Sequence, residues 1–436
     1  MTEHKRAGQL DPDYGNNGQT SIPPEPPRNP DIQTLQQLAQ AAGMDGSTVF
    51  FGHNSDDSDI ENPLFTRLLA NGEWDEFTGH VGLEPVDAPK VPDNLFGFKT
   101  LFPVEIDNKT NYLTVSNPVY FDYATGDFLY YVAVGRFDEH FRPVSRFGTG
   151  GLSFPSPGDP WEVLAKPAKK TVRKRDTETL ALFYKERRPI ALSNNFIRVI
   201  YPRIINDTET TTWIALFNPE TGDLDLEREL KDNGGNPIAL ERAEFLSDGS
   251  FLLLALREDR NTAVLRRYFD NGLPDTNFAG GAGEIEFSAR NKRQFGMDVK
   301  NDRIVVSAGF QDNLDQPTSV YCFSLDGKID PDFNNGRTLE IGRGLKLDHV
   351  RFDTQGRIVL AGTQHSPPAN KALSVVRLNS NGRFDDAFGE GGFFDGAPLY
   401  SAANDLFVTG NEIRVLSLFP PRETGPFYEV MLKLLD

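Results

Sequence analysis

Short apolar runs separated by glycine-containing turns recur along the whole chain and predict a protein built from β-strands. A representative stretch has an apolar run at 347–352, a turn at 354–356 and the strand-forming sequence RIVLAG at 357–362. A polar loop and the apolar run LSVVRL at 373–378 follow. Runs such as FLLLAL at 251–256 are continuously apolar, whereas a sheet with one face in water would alternate apolar and polar residues. The pattern therefore predicts an all-β fold whose sheets are buried on both faces.

The same unit is repeated, most clearly as YCFSLDGKIDPDFNNG at 321–336 and VRLNSNGRFDDAFGEGG at 376–392. Each copy is an apolar strand followed by an Asp- and Gly-rich segment, which we call the exit loop. Equivalent apolar strand positions are Thr66, Val134, Ile214, Leu265, Tyr321, Val376 and Met431. The units end near residues 72, 142, 222, 272, 327, 382 and 436. Seven such units predict a seven-bladed β-propeller of four-stranded antiparallel blades, forming a single domain over 1–436.

The two ends of the chain complement each other. The chain starts with an exit loop, LDPDYGNNG at 10–18, that lacks a preceding strand, and it ends with a strand, LKLLD at 432–436, that lacks an exit loop. We therefore expect the termini to close the ring of blades. The segment 32–42 has helical propensity, but its place in the repeat favours a strand.

The repeated unit resembles the delta-60 repeat family of bacterial proteins. The motifs that carry the resemblance are the D-G turn and exit loop at 326–336, the strand at 354–362 and the strand and exit loop at 377–392, with a good match at 247–283. The resemblance implies a propeller-like all-β repeat, often in a surface-associated or secreted protein. It implies no settled activity and supplies no catalytic residues.

Composition narrows the classes of partner. The formal net charge of −18 disfavours a nucleic acid, because affinity for phosphates depends largely on Lys and Arg. No stretch approaches the ~20 consecutive apolar residues of a membrane helix. We expect a cytoplasmic protein, with export by a route that needs no leader as the alternative, and we expect a monomer. The single cysteine, Cys322, lies in an apolar run and is interpreted as a small buried side chain.

The exit loops place oxygen-bearing side chains two residues apart beside glycines, as calcium loops do. The candidate metal ligands are Asp11, Asp13, Asp275, Asn277, Asp330 and Asp332, with Asn16, Asn334, Asp385 and Asp386 at related positions. The alternative is that these side chains bond to their own backbone and form turns. Because the copies share no further carboxylate at a constant distance, turn formation is favoured over calcium binding.

A basic residue recurs five residues before the turn glycine, inside the apolar strand. Arg67, Arg267 and Arg377 occupy this position, and Arg136 and Lys433 lie in similar places. A base inside an apolar strand needs a partner, and the exit-loop Asp is the nearest candidate. We expect structural pairs between strand and loop, not a ring that binds a ligand.

The third unit contains a basic insertion at 155–190. Its segment 165–188 has nine Lys or Arg and three Asp or Glu residues, a net charge of +6, so the rest of the chain carries −24. One interpretation is a solvated charged loop. The other is a docking element for an acidic or phosphate-bearing partner, with Lys169, Lys170, Arg173, Lys174 and Arg175 as the binding residues.

Motifs for catalysis are missing from the sequence. The six histidines have no HxH or HExxH spacing, and there is no GxSxG, Walker or CxxC motif. Only three tryptophans are present, which argues against a sugar-stacking site in every blade. The sequence thus predicts a non-enzymatic binding or interaction scaffold of unknown ligand. The alternative is a propeller hydrolase or lactonase with a divalent metal held on the axis by side chains from different blades.

Overall fold

The computed structural model describes residues 7, 9–22, 35–42, 47–55, 61–75, 84–85, 98–116, 119–122, 127–130, 133–148, 150–153, 190–204, 210–257, 261–289, 292–310, 316–366, 370–394, 402–410, 412–419 and 428–436. These residues form antiparallel sheets in a propeller arrangement, as predicted. No helix among them is long and apolar enough to span a membrane.

Seven antiparallel sheets, numbered I to VII, follow one another along the chain. Sheet I contains β2 (Leu35–Ala42), β3 (Thr48–Ser55), β4 (Glu61–Leu68) and β5 (Glu84–Pro85). Sheet II contains β6 (Phe98–Ile106), β7 (Lys109–Ser116), β10 (Ala133–Phe137) and β11 (Leu152–Ser153). Sheet III contains β12 (Ile190–Ser193), β13 (Phe196–Ile204), β14 (Thr210–Phe217) and β15 (Leu224–Leu230). Sheet IV contains β16 (Ile238–Phe245), β17 (Phe251–Arg257), β18 (Thr262–Tyr268) and β19 (Glu284–Ser288).

The remaining elements lie mostly in the C-terminal part of the chain. Sheet V contains β20 (Lys292–Lys300), β21 (Arg303–Phe310), β22 (Pro317–Ser324) and β23 (Leu339–Arg343). Sheet VI contains β24 (Leu345–Phe352), β25 (Ile358–Ser366) and β26 (Asn370–Leu378). Sheet VII contains β27 (Ala402–Thr409), β28 (Glu412–Phe419), β29 (Tyr428–Leu434) and β1 (Gln19–Ile22). A two-stranded ribbon, β8 (Val119–Asp122) and β9 (Asp127–Tyr130), lies between β7 and β10, and one helical turn, α1 (Phe278–Gly281), lies in the exit loop of sheet IV.

Sheet VI corrects the prediction of seven four-stranded blades. The described residues form six four-stranded blades, and sheet VI has three strands. After β26 the chain returns to this sheet at Phe393, which forms a bridge with Val376. Two backbone hydrogen bonds flank this bridge, from Arg377 N–H to Gly392 O at 2.9 Å and from Phe394 N–H to Val375 O at 2.8 Å. Phe393 also exchanges backbone hydrogen bonds with Glu390, at 2.9 and 3.3 Å. Residues 395–401 lie outside the described part of the chain, so the count of three strands holds for the described residues of sheet VI.

The predicted closure of the ring by the termini is confirmed. The N-terminal strand β1 pairs with β29, with Gln19 opposite Leu432 and Ile22 opposite Glu429. Two backbone hydrogen bonds also join Lys433 to the exit loop before β1. The N–H of Asp11 donates to Lys433 O at 2.8 Å, and the N–H of Lys433 donates to Gly18 O at 3.0 Å. The strand predicted within 32–42 is also confirmed, as β2.

Burial on both faces explains the continuous apolar runs. All residues of β17 from Phe251 to Leu256 are buried, but they pack into two different cores. Leu252, Leu254 and Leu256 contact the core shared with sheet V, whereas Phe251 and Leu253 contact the core shared with sheet III. Each sheet therefore stabilises both of its neighbours, and no strictly polar face is needed.

The first strand of each sheet lies at the centre of the ring, because first strands pack against one another, as β16 does on β20 and β20 on β24. Six of these inner strands contain a β-bulge against their partner strand. In β24 the bulge places Asp348 between two paired residues, Leu347 opposite Gly362 and His349 opposite Ala361. Bulges change the direction of side chains, so the inner strands can bring polar groups together at the centre of the ring.

Candidate functional site

The exit-loop carboxylates are engaged in turn formation and ion pairing. Asp275 Oδ1 accepts the backbone N–H of Asn277 at 2.9 Å, and its Oδ2 accepts Arg267 Nε at 2.7 Å. Backbone N–H groups two residues later bind the same way to Asp11, Asp330 and Asp385. This geometry agrees with the turn-forming alternative. In the described part of the chain, no group of three or more His, Cys, Asp or Glu residues could hold a metal ion.

The predicted pairs between strand bases and loop carboxylates are present. Arg67 binds Asp75, Arg267 binds Asp275, Arg377 binds Asp385 and Lys433 binds Asp11. Arg136 has no Asp eight residues later, and it donates instead to Asn111 Oδ1 at 3.0 Å and to the backbone of Pro219. The basic residues are therefore structural and do not line a common ligand site.

Exit loops in the described part of the chain also tie their sheet to the next one. The N–H of Ala279 donates to Asp326 O in the following sheet at 2.8 Å, and the N–H of Asn334 donates to Asn381 O at 2.9 Å. The loop aromatic beside these bonds is buried, as Phe278 and Phe333 show. The repeated exit-loop motif is thus a device for packing neighbouring blades.

The basic insertion lies outside the described residues, apart from the flanking strand β12, which starts at Ile190. This includes Lys169, Lys170, Arg173, Lys174 and Arg175. Their role as a docking element stays a prediction.

The centre of the ring carries a cluster of charged side chains that sequence spacing did not reveal. We call Glu244, Asp298, His349 and Arg351 the axial cluster; they belong to the inner strands of sheets IV, V and VI. All four are buried. Arg351 Nη1 lies 3.7 Å from Asp298 Oδ1 and 4.0 Å from Glu244 Oε1. A guanidinium thus lies between the two carboxylates.

Backbone contacts complete the axial cluster. Asp298 Oδ2 accepts the N–H of Phe352 at 2.7 Å, and Arg351 Nη1 donates to Met297 O at 3.2 Å. His349 Nε2 lies 3.1 Å from Ala403 O, so this nitrogen carries the proton. Each of these bonds joins one inner strand to its neighbour, which gives the cluster a clear role in holding the sheets together.

A second cluster lies on one face of sheet III and is partly exposed. We call Tyr201, Arg203, Trp213 and Glu227 the corner cluster. Tyr201 is opposite Trp213 in the pairing of β13 with β14, while Glu227 comes from the outer strand β15. The Arg203 and Glu227 side chains are 24% and 13% exposed, and Tyr201 is buried.

The corner cluster is held together by polar contacts. Glu227 Oε1 accepts hydrogen bonds from Tyr201 Oη and, at 2.5 Å, from Arg203 Nη2. The Arg203 guanidinium lies 4.0 Å from the centre of the Trp213 ring. Trp213 Nε1 donates to Thr211 Oγ1 at 2.8 Å. Burial, followed by the hydrogen bond to Glu227, raises the pKa of Tyr201, so its phenol stays protonated and acts as a donor.

The corner cluster was missed because its members are distant in sequence and follow no motif. One signal was available in β13, where Arg203 follows Ile197 and Val199 at alternate positions and so interrupts an apolar face. Only strand register shows that these four side chains meet.

Comparison with known proteins supports the fold. No family model matches the chain, and no curated protein sequence matches it. Among solved structures, a polysaccharide lyase, Uly1, is similar over all of this chain and 94% of its own, with a TM-score of 0.53 and 10% identity. A protein of unknown function from Dyadobacter fermentans DSM 18053 is similar over 98% of this chain and all of its own, with a TM-score of 0.42 and 10% identity. A PL25 ulvan lyase is similar over 77% and 79%, with a TM-score of 0.41 and 12% identity. At 10% identity and a TM-score of 0.53, the likeness to Uly1 shows the fold alone.

Proposed function

We propose that this protein is a non-enzymatic binding scaffold whose ligand is a carbohydrate. The observation that carries the proposal is the corner cluster, in which a carboxylate, a guanidinium and an indole lie together at a partly exposed position. Ligand sites commonly combine aromatic surface with a few fixed polar groups of this kind. One such site is compatible with the three tryptophans of the chain.

The choice of carbohydrate is supported by the structural comparison. The polysaccharide lyase with a TM-score of 0.53 is similar over the full length of this chain, and its name gives a polysaccharide as its substrate. The likeness itself concerns the fold, so the ligand class is our inference from that name and from the chemistry of the corner cluster.

Two features favour binding over catalysis. Tyr201 keeps its proton, because burial raises its pKa, and it is therefore a poor base at neutral pH. The axial carboxylates Asp298 and Glu244 face Arg351, whose positive charge pairs with both of them. The charged side chains near the axis therefore pair with one another and join the inner strands.

Binding and catalysis can be separated with one set of oligosaccharides. Purified protein is titrated by calorimetry with neutral and acidic oligosaccharides, and the same mixtures are assayed for new reducing ends and unsaturated products. Saturable binding with intact sugars supports the proposal, whereas cleaved sugars overturn its non-enzymatic part. Metal analysis by mass spectrometry provides the further check, since a stoichiometric divalent ion would favour the hydrolase alternative and calcium would restore the exit-loop candidates.

A further inference from the structure

We propose that the corner cluster binds the vicinal hydroxyl groups of a neutral sugar residue, with Glu227 as the hydrogen-bond acceptor and Arg203, stacked on Trp213, as the hydrogen-bond donor. This inference deepens the proposed carbohydrate-binding function and rests on it. It names a site and a ligand class that the fold alone does not specify.

One carboxylate oxygen of Glu227 can accept further hydrogen bonds. Both side chains that donate to Glu227, through Tyr201 Oη and Arg203 Nη2, bind the same oxygen, Oε1. Within the described residues, Oε2 of this carboxylate makes no hydrogen bond, although the side chain is only 13% exposed. A carboxylate has about four acceptor positions, so Oε2 is available to a hydroxyl donor.

The side chains of the corner cluster are held in fixed positions by one another. Glu227 is held by two donors, the Arg203 guanidinium stacks on Trp213, and Trp213 is held by Thr211. Thr211 Oγ1 also lies 3.3 Å from the carbonyl oxygen of Arg203, which fixes the end of the two strands. A ligand group bound here would therefore meet preformed partners, and little side-chain entropy would be lost on binding.

The charges of the corner cluster and of the whole chain favour a neutral sugar over an acidic one. Glu227 and Arg203 neutralise each other at 2.5 Å, so the cluster has no net charge to attract an anion. The chain as a whole carries −18, which repels uronates and sulfated sugars at long range. Hydroxyl groups can donate to a carboxylate and accept from a guanidinium, and they carry no charge that this field opposes.

The test uses neutral tetrasaccharides of glucose, mannose and galactose, with tetragalacturonate as the acidic probe. Glu227→Gln is compared with Glu340→Gln, which alters a carboxylate on the outer strand of sheet V, where Ser319 donates to it at 2.9 Å. We expect Glu227→Gln to weaken the binding of a neutral tetrasaccharide at least tenfold and Glu340→Gln to leave it unchanged. Circular dichroism and thermal melting establish that both variants are folded.

Tryptophan fluorescence localises the ligand independently. Binding should change the emission of the parent protein and of Trp74→Phe, whose substitution lies beside Phe50 in another sheet, but not that of Trp213→Phe. Neutral sugars that bind all variants with equal affinity and equal signal would overturn the site and leave the proposed function standing. Binding of tetragalacturonate alone would overturn the neutral class, and binding of no probe by the parent protein would overturn both proposals.

Discussion

Arg303 Nε lies 2.8 Å from Asp330 Oδ2. In other sheets the exit-loop Asp pairs instead with a basic residue on a different strand. In sheets IV and VI the equivalent exit-loop Asp is bound by an arginine eight residues earlier, as Arg267 binds Asp275. In sheet V the residue at that position is Cys322, and the guanidinium comes from the neighbouring strand β21. The exit-loop Asp of sheet V is thus also paired with an arginine, although this arginine belongs to a different strand.

Removing this guanidinium should destabilise the protein, and restoring it from the other strand should recover stability. We expect Arg303→Met to lower the free energy of unfolding by about 2 kcal/mol, because Asp330 loses a charged donor in a partly buried position. Adding Cys322→Arg to this variant should recover about half of that loss, since an arginine there would occupy the position of Arg267 in sheet IV. Urea unfolding of the single and double variants measures both effects.

The control for this pair is an exposed one. Arg146 and Asp107 are 3.5 Å apart with side chains 59% and 63% exposed, so Arg146→Met should change stability by about 0.5 kcal/mol or less. A double variant no more stable than Arg303→Met would show that the two strand positions are not interchangeable.

The thiol of Cys322 should be unreactive in the folded protein. Burial raises the pKa of this thiol to about 12. The positive charge of Arg303 lowers the pKa and the negative charge of Asp330 raises it, but both effects are smaller than that of burial. Because the thiolate is the reactive form, the thiol should resist alkylation at pH 8 and react fully in guanidinium chloride. Rapid modification of native protein by iodoacetamide, followed by mass spectrometry, would contradict the assignment of a buried structural cysteine.

Two glycines in the second strands of neighbouring sheets, Gly309 in β21 and Gly362 in β25, should respond differently to substitution. A Cβ on Gly362 would lie 1.8 Å from Lys346 O, in the backbone of the bulged inner strand, whereas a Cβ on Gly309 would meet nothing nearer than 3.5 Å. We expect Gly362→Ala to cost about 3 kcal/mol or more, because backbone must move. Gly309→Ala should change stability by about 0.5 kcal/mol at most. Equal melting temperatures for the two variants would contradict the close approach of β24.

The basic insertion provides a prediction that depends on sequence alone. Replacing Lys169, Lys170, Arg173, Lys174 and Arg175 by Ser should leave the melting temperature unchanged and weaken retention on an anionic resin at low salt. The difference should vanish near 1 M salt, where the Debye length falls to ~3 Å. A large fall in melting temperature would assign the segment a structural role, and unchanged retention at low salt would make it a solvated loop.

Local sequence was sufficient for the all-β fold, the closure by β1 and β29 and the strand-to-loop pairs such as Arg377 with Asp385. These features depend on residues that are close in sequence or that recur at a constant spacing, so the repeat itself carries the information. The same reasoning predicted four strands in sheet VI, where the described residues form three strands and a bridge between Val376 and Phe393. A regular repeat does not indicate how many residues of each outer strand pair with its sheet.

The axial and corner clusters depended on tertiary structure. Arg351 reaches Asp298 on another sheet, and Glu227 meets Arg203 across two strands, so no spacing along the chain links these side chains. Their contacts are set by strand register and by the order of sheets around the ring, which decide which faces meet. Sequence determined the architecture because strand periodicity is local, whereas the candidate site needed the folded ring because its residues converge only through long-range packing.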